Sequence, residues 1–232
     1  MNSGLWVYLA TSPLLWLAGT LVVWLAATGI AGLRPGNPLL NPIMLSIAVI
    51  ATVLLVADIR YDAYFAGAQF IHFLLGPATV ALGIPLYEKL SLVKSNLLPM
   101  LAALVAGSLT AVGATVFFAH LFGFTPGVVA SLAPKSTTAA VAMAISAGLA
   151  GDPALTAAVV VLTGICGAIV VTPMMNAMRI KDYSARGFAV GLASHGIGTA
   201  RAYSVDPVAG LFSGIAMGLN AVLTSLIVHL FL

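Results

Sequence analysis

Charged residues are scarce in this sequence. Lys, Arg, Asp and Glu make up 6% of its 232 residues, while hydrophobic residues make up 61%. A soluble domain typically carries about 25% charged residues, so this chain has too little polar surface for a water-soluble globule. The composition predicts a protein embedded in the lipid bilayer. No shift in composition divides the chain, which indicates one membrane domain over residues 1–232.

Cysteine is also nearly absent. The single Cys166 lies in an apolar run, which excludes an internal disulfide and offers no zinc-type spacing. The sequence lacks a Walker loop, a His-Glu-Xaa-Xaa-His motif and a Gly-Xaa-Ser-Xaa-Gly elbow, so neither an enzyme nor an ATP-driven pump is indicated. We expect no cofactor and no bound metal, and any uphill transport would draw on a gradient of protons or sodium.

The few charges also lie in short clusters between apolar runs, a pattern of membrane topology rather than of a nucleic-acid-binding face. The first charge is Arg34, so no cleavable signal peptide is expected. About 20 residues at 1.5 Å each cross the hydrocarbon. Segment 64–87, although interrupted at Gly76-Pro77, is expected to cross once. Ordinary spanning helices are predicted near residues 14–33, 40–57, 96–119, 154–177 and 208–231.

Two other apolar segments carry polar interruptions. Segment 126–149 is broken around 134–138, and segment 184–204 is broken around 194–199. Interrupted helices in both halves of a membrane chain point to a transport site, because the freed backbone groups need protein or a watery cavity. The predicted fold is therefore all-α and polytopic, with about six full spans plus two interrupted segments that are re-entrant or broken. This arrangement resembles inverted-repeat carriers, although we find no convincing sequence repeat.

The basic residues favour a re-entrant segment 126–149. If this segment returns to the side that it entered, nearly all basic residues beside the spans face the cytoplasm, as the positive-inside rule expects. A full crossing would instead move Arg179, Lys181 and Arg186 outside. Segment 184–204 would then enter from the cytoplasmic side, and the two breaks would meet near the middle of the membrane.

Lys135 is the most informative residue of the first break. An ammonium group at the bilayer centre costs about 2.5–3.5 kcal/mol on insertion scales, so it must be paired, hydrated or bound to an anion. Pro134 would end one half-helix, and Ser136 or Thr137 would cap the next, whose free N–H groups favour an anion. The candidate site includes Thr138 as well. The alternative is a short loop outside the membrane with a snorkelling lysine.

The second break combines hydroxyl, imidazole and guanidinium groups with two glycines that allow a backbone turn. His195 can couple protonation to binding, and Arg201 can hold a carboxylate bidentately in a site shared with Lys135. Two alternatives stay open: Arg201 pairs with Asp206 at a helix end, and His195 is a hydrogen-bonded packing residue. The candidate residues of this break are Ser194, His195, Gly196, Gly198, Thr199 and Arg201.

Other polar residues in apolar segments are weaker candidates for lining a cavity. Four of them, His72, Gly76, Pro77 and Thr79, lie around the interruption of segment 64–87, where packing is the competing interpretation. Asn220 in the last apolar segment can line the cavity or form an interhelical hydrogen bond.

Five stretches of the sequence are distinctive when they are taken together. They are LLGPATVALGIPLY (74–87), SLAPKSTTAAVAMAIS (131–146), LTGICGAIV (162–170), ASHGIGTARA (193–202) and FSGIAMGLN (212–220). They resemble the LrgB/CidB membrane protein family, and the resemblance runs from about residue 10 to the end. Two positions depart from the usual pattern of the family. Ala139-Ala140 stands where relatives often have a proline, and only Asp206 stands where they tend to carry glutamates, which weakens any acidic coupling role there.

The resemblance implies a function that composition alone does not give. It implies a carrier for short 2-oxo or 2-hydroxy monocarboxylates of the pyruvate, glycolate and glycerate class. The alternative that it implies is an antiholin-like regulator of murein hydrolase export and cell lysis. We expect a homo-oligomer in the inner, cytoplasmic membrane, working with a small LrgA/CidA-type membrane protein.

Overall fold

The computed structural model describes residues 12–34, 40–74, 77, 80–81 and 83–232, and helices dominate these ranges. The helices form two compact units, one extending to Ile84 and the other starting at Pro85. Each unit has its own packing. The single-domain interpretation of the chain stays a prediction.

The first unit packs its first helix against the two that follow. Gly67 lies so close to this first helix that a Cβ there would meet the backbone of Pro13. Trp16 and Tyr64 add an edge-to-face ring contact with centroids 5.8 Å apart. The helices of this unit are α1 (Pro13–Gly32), α2 (Pro42–Val56) and α3 (Tyr61–Phe73).

The second unit contains four helices of more than 20 residues and three shorter ones. A short helix, α4 (Gly83–Glu88), lies at the boundary between the units. The helices that follow are α5 (Leu90–Ser95), α6 (Leu97–Leu121), α7 (Pro126–Leu132), α8 (Ala139–Gly148), α9 (Pro153–Ala177), α10 (Tyr183–Val205) and α11 (Pro207–Ile227), with a 3-10 turn at Val228–Leu230.

Four helices of the described residues are long and apolar enough to cross a bilayer. They confirm the predicted spans near 14–33, 96–119, 154–177 and 208–231. Helix α2, in the predicted span 40–57, has only 15 residues, fewer than the roughly 20 of an ordinary span. The total of six full spans therefore stays a prediction. The four are Pro13–Gly32, Leu97–Leu121, Pro153–Ala177 and Pro207–Leu230.

Helices α7 and α8 form a hairpin, which we call the first hairpin (126–149). Gly127, at the start of α7, lies beside the carbonyl of Ala150, just after α8. Near the same end, the N–H of Asp152 donates to Ser131 Oγ at 2.7 Å. The chain therefore leaves the hairpin at the end where it entered, which is the geometry that a re-entrant segment requires.

Helix α10 is a second hairpin (183–205), because its direction reverses at His195. Gly191 before the reversal and Thr199 after it both contact Ser213 of α11. One helical turn earlier in α11, Gly187 lies against Ala209, and Tyr203 lies against the neighbouring Gly210. Two halves that meet the same levels of α11 in opposite order run antiparallel.

The two hairpins enter the second unit from opposite ends. We call the end where α6 begins the lower end and the end where it finishes the upper end. Met100 and Phe212 share one apolar cluster at the lower end. Val116, Val129 and Val228 share another at the upper end. The first hairpin therefore starts at the upper end, and the second starts at the lower end.

Aspartates are the N-caps of the last three α-helices, α9, α10 and α11. Asp152 accepts a hydrogen bond from the N–H of Ala154 at 2.8 Å, and Asp206 accepts one from the N–H of Val208 at 2.8 Å. Asp182 accepts from both the O–H and the N–H of Ser184, and these bonds lower the pKa of its carboxyl. A carboxylate at each N-cap satisfies free N–H groups and interacts favourably with the positive end of the helix.

Candidate functional site

The tips of the two hairpins meet beside a cavity of about 580 Å³, which we call the central cavity. Its walls come from both tips and from the middle turns of α6 and α9. The two interrupted segments therefore do approach each other halfway along the unit, as the sequence predicts. The lining residues are Ala106, Gly107, Thr110, Ala111, Lys135, Ser136, Thr163, Gly167, Leu192, Ala193 and Ser194.

Lys135 supplies the only charged side chain of this lining. Its side chain is half-buried, and no described residue forms a hydrogen bond or ion pair with its ammonium group. It also lines a second cavity of about 350 Å³ on the upper side, together with Thr115 and Phe118. Lys135 thus lies between two spaces at the tip of the first hairpin.

The hydroxyl residues of the first break divide between the cavity and the protein interior. Ser136 lines the central cavity. Thr137 is fully buried, and its Oγ1 donates to the carbonyl of Pro134 at 3.0 Å. Thr138 is the N-cap of α8, but its side chain forms no capping hydrogen bond. Of the three predicted hydroxyls, only that of Ser136 therefore faces the cavity.

The second break turns on His195, whose φ of 42° and ψ of −137° leave the helical region. Its Nε2 N–H donates to the carbonyl of Val160 at 2.9 Å, and the ring packs where Gly164 has no side chain. This is the hydrogen-bonded packing role left open by the sequence. The predicted turn at Gly196 or Gly198 falls instead on the residue before them.

Gly198 and Thr199, which follow His195, complete the turn without lining the central cavity. Thr199 Oγ1 donates to the carbonyl of His195 at 2.8 Å and lies 2.9 Å from Ser213 Oγ. A Cβ on Gly198 would meet the side chains of Ser194 and Val190, so this glycine serves close packing. Ser194 is the predicted residue of this break that does line the cavity.

Arg201 lies apart from Lys135. It lines a different, small cavity of about 30 Å³ near the lower end of the unit, together with Arg186 and Val205. Its Nη1 donates to Ser204 Oγ at 3.4 Å. The structure therefore does not bring the two cations to one site.

Asn220 connects both breaks from α11. Its Nδ2 donates to the carbonyl of Ser136 and to the carbonyl of Leu192, each at 3.1 Å. Its Oδ1 accepts from Ser108 Oγ at 2.7 Å and from Thr224 Oγ1 at 3.2 Å. Asn220 is fully buried, so it supports the cavity from behind rather than lining it.

The remaining predicted cavity residues belong to the first unit. His72 is exposed and its ring contacts Phe65, and Pro77 is also exposed. Gly76 and Thr79 lie outside the described residues. The described part of the chain holds no group of three or more His, Cys, Asp or Glu side chains placed to bind a metal.

Sequence reasoning missed the walls that α6 and α9 contribute. Thr110 and Thr163 are the polar members of those walls, and Gly107 and Gly167 are the small ones. A Cβ on Gly167 would overlap Ser194, so this glycine lets the second hairpin reach the cavity. Their only sequence signal is a hydroxyl or glycine within an apolar run, which many packing positions share.

The four long apolar helices of the described residues define a multi-pass membrane protein. The chain belongs to the LrgB-like family, whose model matches residues 20–232.

Three relatives illustrate the family. The chain is 34% identical to the uncharacterised protein YxaC of Bacillus subtilis over 188 residues, covering 81% of this chain and 82% of the relative. It is 36% identical to an uncharacterised protein of Haemophilus influenzae, covering 81% of each. It is 33% identical to the holin-like protein CidB of Staphylococcus aureus, covering 83% and 84%. No solved structure matches the chain.

Proposed function

We propose that this protein is a secondary carrier or facilitator for small carboxylate anions, which bind in the central cavity. The observation that carries the proposal is Lys135, a cation at the tip of a broken helix, facing a cavity between two hairpins. An ammonium in apolar surroundings is unfavourable unless hydrated or paired, and an anionic ligand would offset that cost.

The cavity also matches the size and charge of such ligands. Its volume of about 580 Å³ falls within the roughly 300–1,000 Å³ of typical small-molecule sites. One lysine in the lining favours an anion with one negative charge. Ser136 and Ser194 can donate hydrogen bonds to its carboxylate or to a neighbouring oxo or hydroxyl oxygen. The family resemblance narrows the class to 2-oxo and 2-hydroxy monocarboxylates, such as pyruvate, glycolate and glycerate.

The name of one relative favours a second function. The similarity to the holin-like protein CidB supports a holin-like function. The family resemblance implies, for that function, an antiholin-like regulator of murein hydrolase export and cell lysis. A holin-like function predicts large openings in the membrane, whereas a carrier predicts saturable, selective flux. For either function we propose a homo-oligomer in the cytoplasmic membrane, assisted by a small LrgA/CidA-type protein.

Reconstitution of the purified protein into liposomes separates these two functions. We expect uptake of labelled pyruvate or glycolate that saturates, that excess unlabelled substrate suppresses and that leaves an entrapped fluorescent dye inside. Protein-free liposomes are the control. Release of the dye, or uptake that never saturates, would favour the holin-like function. Imposed proton and sodium gradients, applied one at a time, test whether either ion drives accumulation.

A further inference from the structure

Each break of the central site frees a backbone carbonyl that a continuous helix would satisfy. The carbonyl of Ser136 lies in the non-helical stretch between α7 and α8, and that of Leu192 lies just before the reversal at His195. A buried carbonyl without a donor is unfavourable in an apolar interior. One amide, that of Asn220, donates to both carbonyls.

We propose that Asn220 is a positioning residue that holds both hairpin tips at one spacing, so that Lys135 and Ser194 face the same bound anion. This inference rests on the proposed function. A cavity-lining residue lies close in sequence to each anchored carbonyl. Lys135 precedes Ser136 directly, and Ser194 follows Leu192 by two residues.

The side-chain amide of Asn220 uses all of its hydrogen-bonding capacity. An amide has two N–H donors and a carbonyl oxygen that can accept two hydrogen bonds, and all four are used here. Ser108 and Thr224 each donate to the oxygen, and the two N–H groups point at the two tips. A shift of about 1 Å in a binding group can weaken its action a hundredfold, so loss of this anchor should alter anion affinity.

The matched variants separate anchoring from general packing. Asn220→Leu keeps the branched outline of the side chain and removes both donors, and Asn220→Ala removes both donors without adding volume. Ser108→Ala and Thr224→Val are the controls, because each removes a bond to Oδ1 and leaves both carbonyl anchors in place. Size-exclusion profiles in detergent check folding, and Asn220→Ala decides the question if Asn220→Leu does not fold.

Two measurements read the result. Hydrogen–deuterium exchange should rise in both 135–138 and 193–198 in the Asn220 variants, and in neither segment in the controls. The KM for labelled pyruvate should rise about tenfold or more in the Asn220 variants, as displacement of binding groups predicts, and less than about twofold in the controls. A wild-type KM in a folded Asn220 variant, or increased exchange in only one tip, would overturn the proposal.

The exchange measurement needs no substrate, so it separates the two ideas. If the wild-type protein carries no carboxylate but both tips loosen in the Asn220 variants, the proposed function fails and the anchoring stands. If transport is normal in wild type and both tips stay protected in the variants, the anchoring fails and the proposed function stands.

Discussion

The two hairpins reverse the chain in different ways. In the first hairpin the helices α7 and α8 are separated by residues 133–138, which include Pro134. In the second hairpin a single residue, His195, leaves the helical conformation. A wide break leaves room for a long charged side chain at the tip, whereas a single-residue reversal leaves the backbone almost continuous and must be packed closely.

Because of this difference, the two tips contribute different features to the central cavity. The first tip contributes the charge of Lys135. The second tip contributes a well-packed wall, since His195 is bonded to Val160 and the side chains of this turn fit against Gly164 and Gly167. The function of the first tip is therefore expected to depend on its charge, and that of the second tip on its close packing.

The comparison first requires that both segments are re-entrant. With Cys166 replaced, cysteines at Lys94 and Lys181 should both resist an impermeant thiol reagent added outside intact cells. A cysteine at Ala150, at the upper end, should react fully. External labelling at 181 but not at 94 would mean that the first hairpin crosses the membrane, since the end of α9 would then lie outside.

Removing the charge of the first tip should have the largest effect on binding. Lys135→Ala should weaken carboxylate binding by about 1.5–3 kcal/mol, or roughly tenfold to over a hundredfold in Kd, because a charged hydrogen bond to the ligand is lost. Ligand-dependent thermal stabilisation in detergent measures the change.

Two controls make the Lys135 measurement specific. Lys181→Ala removes an equal charge from the exposed loop after α9 and should leave the Kd unchanged. Arg201→Lys should also leave the Kd within about twofold of wild type, a difference below roughly 0.4 kcal/mol, because Arg201 lines another cavity. A Kd that rises in Arg201→Lys as strongly as in Lys135→Ala would restore the shared site predicted from the sequence.

The stability of the protein should be sensitive to packing changes in the second hairpin. A Cβ on Gly191 would meet the backbone carbonyl of Ser213, so Gly191→Ala should lower the free energy of unfolding by about 1–3 kcal/mol through overpacking. Gly218→Ala in α11 is the matched control, since no atom lies within 4 Å of a Cβ there. Equal thermal stability of the two variants would show that α10 and α11 are not in close contact.

The smallest effect is expected from His195. Its imidazole bonds to a backbone carbonyl and does not line the central cavity. We therefore expect His195→Gln to leave the pH profile of transport unchanged between about pH 5 and 8, the range in which an ordinary histidine titrates. A flattened profile in this variant would assign proton coupling to His195 after all.

The sequence predicted both breaks but only part of their geometry. Pro134 and Lys135 within an apolar run identify the first break, because proline ends a helix and lysine is unfavourable in lipid. At the second break the glycines indicated a turn, yet the positive φ belongs to His195, whose hydrogen bond and close packing come from α9. Such tertiary support leaves no local pattern in the sequence.

Distances between segments could not be predicted from the sequence either. Arg201 and Lys135 shared one predicted site because both are unfavourable in lipid, but the return half of the second hairpin carries Arg201 back to the lower end. Asn220 was predicted either to line the cavity or to bond between helices. The structure shows the second role, with both tips as partners.

The number of times that the chain passes from one end of the second unit to the other has a consequence for its architecture. A long helix followed by a hairpin traverses the unit once, because the hairpin returns to the end at which it began. Two such helix–hairpin motifs in tandem, α6 with the first hairpin and α9 with the second, must therefore point in opposite directions. Chain order alone makes the two tips converge from opposite ends, and α11 as a third crossing puts the last residues at the end opposite to the start of α6.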